Sequence, residues 1–281
     1  ATDVKAGIIE EVAGTGDEQG IKWVQGLSFS KETDLRKKTV LSEARDRSLS
    51  LRDGMQSGRV TIWQAGFHGL YDLKLSALGH HDSGGQIVYQ VELAKELGKR
   101  VLPGERVDLI TRGIIYDKEL RKLYPENTFG AFVEKISNNG DMIKLPFGTD
   151  SFLLRSEFWA HRASFRRYLE AVVKARGKPS LIHIHSGDAM TLELAQWAAE
   201  NNIPVVFTIH SAGLFKLETF SANSLDSRFE FGKMQFSEEL IRRIIAEDAI
   251  LRISDRIILS TKDEFNRQLK NYSSFEELKK D

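Results

Sequence analysis

The chain has 281 residues, 41% hydrophobic and 28% charged, enough for one large α/β domain or two small ones with a sizeable core. Its 40 lysines and arginines balance 40 aspartates and glutamates, so it lacks the cationic excess of a general nucleic-acid or anionic-membrane binder. There is no cysteine, which excludes disulfides, thiolate metal sites and cysteine nucleophiles, and no apolar run reaches the ~18–20 residues of a membrane helix.

Residues 1–58 differ from the rest of the chain. Apolar positions are scattered, and a dense run of alternating charge at Lys31–Arg52 suits a solvated helix laced by ion pairs. This segment is expected to be a charged extension that either packs on the following domain or serves as an arm for a partner. Regular α/β texture starts at Arg59, and residues 59–281 are expected to form one Rossmann-like domain.

Val60–Ala65 reads as a short buried strand followed by a glycine-bearing loop. Gln86–Leu97 has helical spacing, with Val88, Val91, Leu93, Ala94 and Leu97 as its inner face. Arg106–Thr111 is the next strand, and a charged stretch, Asp117–Asn127, follows it. Phe132–Ile136 and Met142–Leu145 flank Asn138-Asn139-Gly140, a hairpin signal. A long amphipathic segment spans about Ser156 to Ala175. Leu181–His185 is a buried-type strand, Ala189–Glu200 a helix that stops at two asparagines, and Pro204–Ile209 another strand. Phe236–Ile253 is a helix and Arg256–Ser260 a last strand, after which Thr261 and Asp263 offer caps for a final helix.

Strands separated by helices imply βαβ units and a mostly parallel sheet flanked by helices. In such a sheet ligands sit beyond the carboxyl ends of the strands. Four loops are therefore singled out: Gly66–Ser83, Phe147–Ser151, Ser186–Asp188 and Ser211–Lys216.

The first of these ends in Asp82-Ser83-Gly84-Gly85-Gln86, immediately before a helix. Two glycines there let a ligand approach free N–H groups at the positive end of the helix, which suits a phosphate, or they merely let strand and helix pack. The dinucleotide pattern GxGxxG is missing, so the loop does not favour NAD. His183 and His185 are two apart and share one face of a strand, with Asp188 beyond. These are zinc-ligand types, but no HExxH and no third ligand at suitable spacing accompanies them, so no metal is assigned. His210 follows the last residues of a strand and should point into the crevice, with Lys216 as a fixed charge beyond it. A Ser-His-Asp hydrolase would need a GxSxG elbow, and none is present. Arg242 and Arg243 lie one to two turns into a helix, where a guanidinium fork could grip a phosphate or simply face solvent.

Taken in order, these segments resemble the N-terminal lobe of the retaining, two-lobed (GT-B-type) glycosyltransferases of the sucrose-phosphate synthase family. The resemblance rests on Asp82–Tyr89, Val107–Arg112, Leu145–Gly148 with Trp159 beyond, Ile184–Ala189, Phe207–Gly213 with Lys216, Arg242–Glu247 and Asp255–Thr261. It covers about residues 59–266. Ser151 stands where the family has a lysine, with Arg155 nearby, and Ile209 stands where it has a glycine before the loop histidine.

The resemblance implies a Rossmann-like acceptor-side lobe that transfers glucose from a nucleotide sugar, UDP-glucose, to a sugar or sugar-phosphate acceptor with retention. Gly84 and Gly85 would face the donor diphosphate, and His210 would be the catalytic group near the transferred glucose. Gln86, Arg155, His185, Asp188, Lys216, Arg242 and Arg243 would serve the acceptor. No cofactor and no metal is implied, the nucleotide sugar being a co-substrate. A second, C-terminal lobe on another segment or on a partner polypeptide is expected to be required. The alternative is a non-catalytic module that acts in binding or assembly. A soluble intracellular protein, cytoplasmic or in an organellar stroma, with no nucleic-acid partner and no membrane span, is expected.

Overall fold

The computed structural model describes residues 60–79, 83–114, 117–124, 132–210, 212–214, 230–259, 261–262, 264–270 and 272–274. The extension at residues 1–58, His81, Asp82, Ser211 and Lys216 lie outside them.

Strand β1, Thr61–Ala65, leads through a loop to helix α1, Gly85–Arg100, and then to β2, Arg106–Arg112. A short helix α2, Lys118–Leu123, is followed by β3, Val133–Ser137, and β4, Gly140–Leu145. A 3-10 turn at Arg155–His161 runs straight into α3, Arg162–Arg176. The chain continues with β5, Leu181–His185, α4, Ala189–Glu200, β6, Val205–Thr208, α5, Glu230–Ile253, and β7, Arg256–Ile258.

The strands form one seven-stranded sheet in the order β3-β4-β2-β1-β5-β6-β7. All neighbours are parallel except β3, which pairs antiparallel with β4. Chain order runs outward one way from β1 through β2 to β4 and the other way from β5 through β6 to β7. The reversal falls between β1 and β5, the point at which an open α/β sheet offers a crevice.

Alternation along the strands separates two cores. Leu109 and Met142 pack with Ile87, Val91 and Ala94 of α1, whereas Ile110, Ile143, Ile182, Ile184 and Phe207 pack with Phe165 of α3, Leu194 of α4 and Ile250 of α5. Helix α1 thus covers one face of the sheet and α3, α4 and α5 the other, as right-handed crossovers in opposite directions from the switch point require. Gln64 pairs with His183 in register, so His183 and His185 lie on the α1 face.

Three expectations are refined. The inner face of α1 is Ile87, Gln90, Val91, Ala94 and Gly98, with Val88 only half-buried. Helix α5 begins six residues earlier than its apolar pattern, at Glu230 rather than Phe236. The hairpin at Asn138-Asn139 forms, yet neither asparagine has a positive φ. Gly140 is needed for a different reason: a Cβ there would lie 2.0 Å from the Val107 carbonyl oxygen of the neighbouring strand.

Candidate functional site

The loops that follow β1, β4, β5 and β6 converge at the carboxyl end of the sheet, beside the N-terminus of α1. Ser186, the first residue past β5, has φ 63, a left-handed conformation that non-glycine residues seldom adopt and that often marks a functional turn. Its hydroxyl donates to Gln86 Oε1 at 2.9 Å, which ties the β5 loop to the first turn of α1. Gln86 is therefore held at the crevice.

Gly84 and Gly85 open α1 with no side-chain cap. A Cβ at either would meet nothing within 4 Å. The protein's own packing does not demand glycine there, so the small residues leave room in front of the helix's unpaired N–H groups.

Three imidazoles lie in a row across β5 and β6. His183 Nε2 is 2.7 Å from Thr208 Oγ1, and the rings of His183 and His185 are 4.1 Å apart. His185 Nδ1 is 3.0 Å from His210 Nε2, with the two ring planes 21° apart and their centroids 5.3 Å apart. Tyr89 of α1 covers the pair, its ring edge-to-face with His185 at 5.7 Å and with His210 at 5.2 Å. Burial pushes the imidazoles of His183 and His210 down to about 4, and the neighbouring Arg243 charge adds to the effect at His210. Burial likewise holds His185 neutral to well below the usual histidine range. His210 is half-buried at the end of β6, whereas His185 is fully buried. Among the described residues no three His, Cys, Asp or Glu side chains are grouped to hold a metal ion.

Asp188 has a structural task as well as a place at the crevice. Its Oδ1 accepts from the N–H groups of Met190 and Thr191 at 2.8 and 2.9 Å and caps α4. Its Oδ2 is buried and takes no hydrogen bond from the described residues. Burial raises its pKa, against the pull of the Thr191 bond and the Arg155 charge.

Arg155 comes from the 3-10 turn after the β4 loop, with a guanidinium nitrogen 3.0 Å from His68 Nδ1 of the β1 loop and a buried Nε that has no partner among the described residues. Burial lowers its pKa, and the like charge of Arg243 lowers it further. Arg243 is itself buried and paired through Nε with Glu247 Oε1 at 2.6 Å. Arg242 donates to the Ser156 carbonyl at 3.4 Å, so α5 reaches the same turn that carries Arg155. Two guanidinium groups from different elements thus lie within electrostatic reach of each other.

Several supporting residues were not singled out from the sequence as site residues. Arg112 holds the β4 loop through the carbonyls of Phe147, Thr149 and Ser151 at 3.2, 2.6 and 2.7 Å, its pKa pushed down to about 10 by burial. Glu247 accepts from Gly213 N–H at 2.8 Å and from the Tyr272 hydroxyl, and docks α5 against the β6 loop. Gly187 lies against it so closely that a Cβ would be 2.3 Å from Glu247 Cγ. Tyr71, with its hydroxyl 3.1 Å from Gln90 Oε1, closes the site beneath the β1 loop. Tyr71 carries no motif, and Glu247, though inside a segment that carries the resemblance, has by itself the look of a surface helix residue.

Comparison with known proteins gives a consistent picture. Residues 83–273 match the family described as Glycosyltransferase Family 4. The chain is 32% identical over 232 residues to a "probable sucrose-phosphate synthase" of Solanum tuberosum, an alignment covering 74% of this chain and 22% of that protein. It is 31% identical over 202 residues to the protein of the same description from Thermosipho melanesiensis, covering 71% of this chain and 44% of that one. Among solved structures, a sucrose-phosphate synthase from Thermosynechococcus elongatus superposes with a TM-score of 0.52 at 22% identity, over 73% of this chain and 43% of that one. That superposition identifies the fold as one of the GT-B glycosyltransferase type. The chain spans about a fifth to under a half of the length of these relatives.

Proposed function

The chain belongs to glycosyltransferase family 4, and from that premise we propose that it is the acceptor-side lobe of a retaining hexosyltransferase that moves glucose from UDP-glucose to a sugar phosphate such as fructose 6-phosphate. The observation that carries this proposal is the meeting of Arg155 and Arg243. Burial first, and then the like charge of Arg243, disfavour the charged form of Arg155. A phosphate dianion would relieve that repulsion and supply oxygens to the guanidinium groups. Lysine would serve less well, because the planar fork of arginine matches a phosphate with two parallel bonds.

Chemistry follows from the same geometry. The N–H groups beyond Gly84 and Gly85 would stabilise the charge that develops on the leaving diphosphate. In a front-face transfer the bond from the glucose anomeric carbon to the diphosphate oxygen breaks, and the acceptor hydroxyl oxygen bonds to that carbon on the same face. The hydroxyl proton passes to the departing diphosphate oxygen. His210 would lie against the transferred glucose, and Gln86, held by Ser186, would orient the acceptor. A donor-side lobe, on a further segment or a separate polypeptide, would complete the cleft and exclude water.

Calorimetric titration of the chain with fructose 6-phosphate and with fructose tests this. Saturable binding of the phosphate ester, at least tenfold stronger than of the free sugar and lost in Arg155→Leu, is expected; tenfold is about 1.4 kcal/mol. Equal affinity for both sugars, or binding indifferent to Arg155→Leu, would remove the acceptor-phosphate assignment.

A further inference from the structure

We infer that His185 is a positioning residue for His210: its Nδ1–H donates to His210 Nε2 and so fixes His210 as the tautomer that carries its proton on Nδ1. The inference starts from the 3.0 Å contact between His185 Nδ1 and His210 Nε2. Two neutral imidazoles have one N–H each, so a bond between these atoms needs one ring to donate and the other to accept. There are two ways to arrange this, and they differ at the far side of His185. If His210 donates, His185 must carry its proton on Nε2. If His185 donates, its Nε2 is a bare lone pair.

The surroundings of that nitrogen decide between them. His185 is fully buried, and its Nε2 has no hydrogen-bond partner among the described residues. Its ring is enclosed by His183 at 4.1 Å on one side, His210 at 5.3 Å on the other and the edge of Tyr89. A buried N–H with no acceptor forfeits its solvation outright, and such orphaned donors are rarer in proteins than under-used acceptors. The bare Nε2 is therefore favoured, and the proton sits on Nδ1, between the two rings. His183 stiffens the arrangement, because its own Nε2 is engaged with Thr208 Oγ1 at 2.7 Å.

The consequence falls on the exposed ring. With Nε2 occupied as an acceptor, His210 has a single hydrogen to offer, on Nδ1. It acts towards a sugar oxygen as an oriented hydrogen-bond donor, not as a base. That functional consequence rests on the proposed placement of His210 against the transferred glucose; the tautomer itself does not.

The test is a long-range 1H–15N correlation spectrum of the imidazoles in the full 15N-labelled chain, which reports the tautomer of each histidine without ligand or turnover. His185 and His210 are both expected as Nδ1–H forms. In His185→Leu the Nδ1–H signature of His210 is expected to give way to Nε2–H or a mixture. In His185→Asn, whose amide N–H falls close to the lost Nδ1–H, it is expected to return. An Nε2–H signature for His210 in the unmutated chain would overturn the inference, as would an unchanged Nδ1–H signature in a folded His185→Leu chain. If neither variant folds, the unmutated spectrum still decides. A chain with the expected tautomers that binds no sugar phosphate would contradict the proposed function and leave this assignment standing.

Discussion

Glu247 holds the candidate site together without itself being aimed at a ligand. It is wholly buried, pairs with Arg243 at 2.6 Å, and accepts from Gly213 at 2.8 Å and from Tyr272. Removing one member of a buried pair leaves the other charge stranded. Glu247→Ala is expected to lower unfolding stability by about 3–5 kcal/mol in urea titrations, and Glu247→Gln, which keeps the acceptor oxygen, by less. The histidine row makes a second residue-scale prediction. An unfolded histidine takes up its proton near 6.5, whereas folded His183 does so only at about 4. The unfolded chain therefore binds more protons between these values, so the contribution is intact above pH 6.5 and is lost as the pH falls towards 4. His183 alone accounts for about 3 kcal/mol of that loss, at 1.36 kcal/mol per unit. Denaturant midpoints measured from pH 7 to pH 4 should fall accordingly, and His183→Asn should flatten the slope. Sequence spacing placed His183 and His185 on one strand face, but not the register that sets His185 beside Thr208 and then His210. Such cross-strand contacts depend on pairing that no local pattern encodes.

At the scale of elements, local signals worked where a helix or strand is amphipathic and bounded by polar residues. Strand β5 and helix α4 have the boundaries their patterns predict, α4 because Asp188 supplies a cap and Asn201 a stop. The pattern failed at α5, whose first turns carry little apolar periodicity, and at the 3-10 entry to α3, where Glu157 accepts from Leu154 N–H at 2.6 Å. Glycines were legible as important but not why. Gly140 is required by a neighbouring carbonyl, whereas Gly84 and Gly85 face open space. This difference yields a prediction. Gly84→Ala and Gly85→Ala should fold with stability changed by no more than about 1 kcal/mol, since Gly85 lies in the helix, where alanine is the better former, and Gly84 at its N-cap, where alanine is the poorer residue. In an assembly that turns over, the same variants should weaken nucleotide-sugar binding about tenfold or more, by crowding the helix N-terminus. Binding unaffected by either methyl would separate these glycines from the donor.

At the scale of the whole molecule, alternating strands and helices were enough to give a mostly parallel sheet and to direct attention to the loops at its carboxyl end. The strand order was not legible, and with it the switch point between β1 and β5 that brings the β1, β5 and β6 loops together. The order depends on long-range burial, which splits Leu109 and Met142 from Ile110 and Ile143 onto opposite faces. Family membership spans 83–273 and includes every proposed site residue, though Lys216 is not among the described ones. Among the described residues no helix is long and apolar enough to cross a membrane. The central claim, that this crevice takes a sugar phosphate, is tested most directly by mapping amide and imidazole chemical shifts of the 15N-labelled chain as fructose 6-phosphate is added. The account predicts saturable shifts confined to Gln86, Arg155, Ser186–Asp188, His210 and Arg243; saturable shifts elsewhere, or none at these residues, would contradict it.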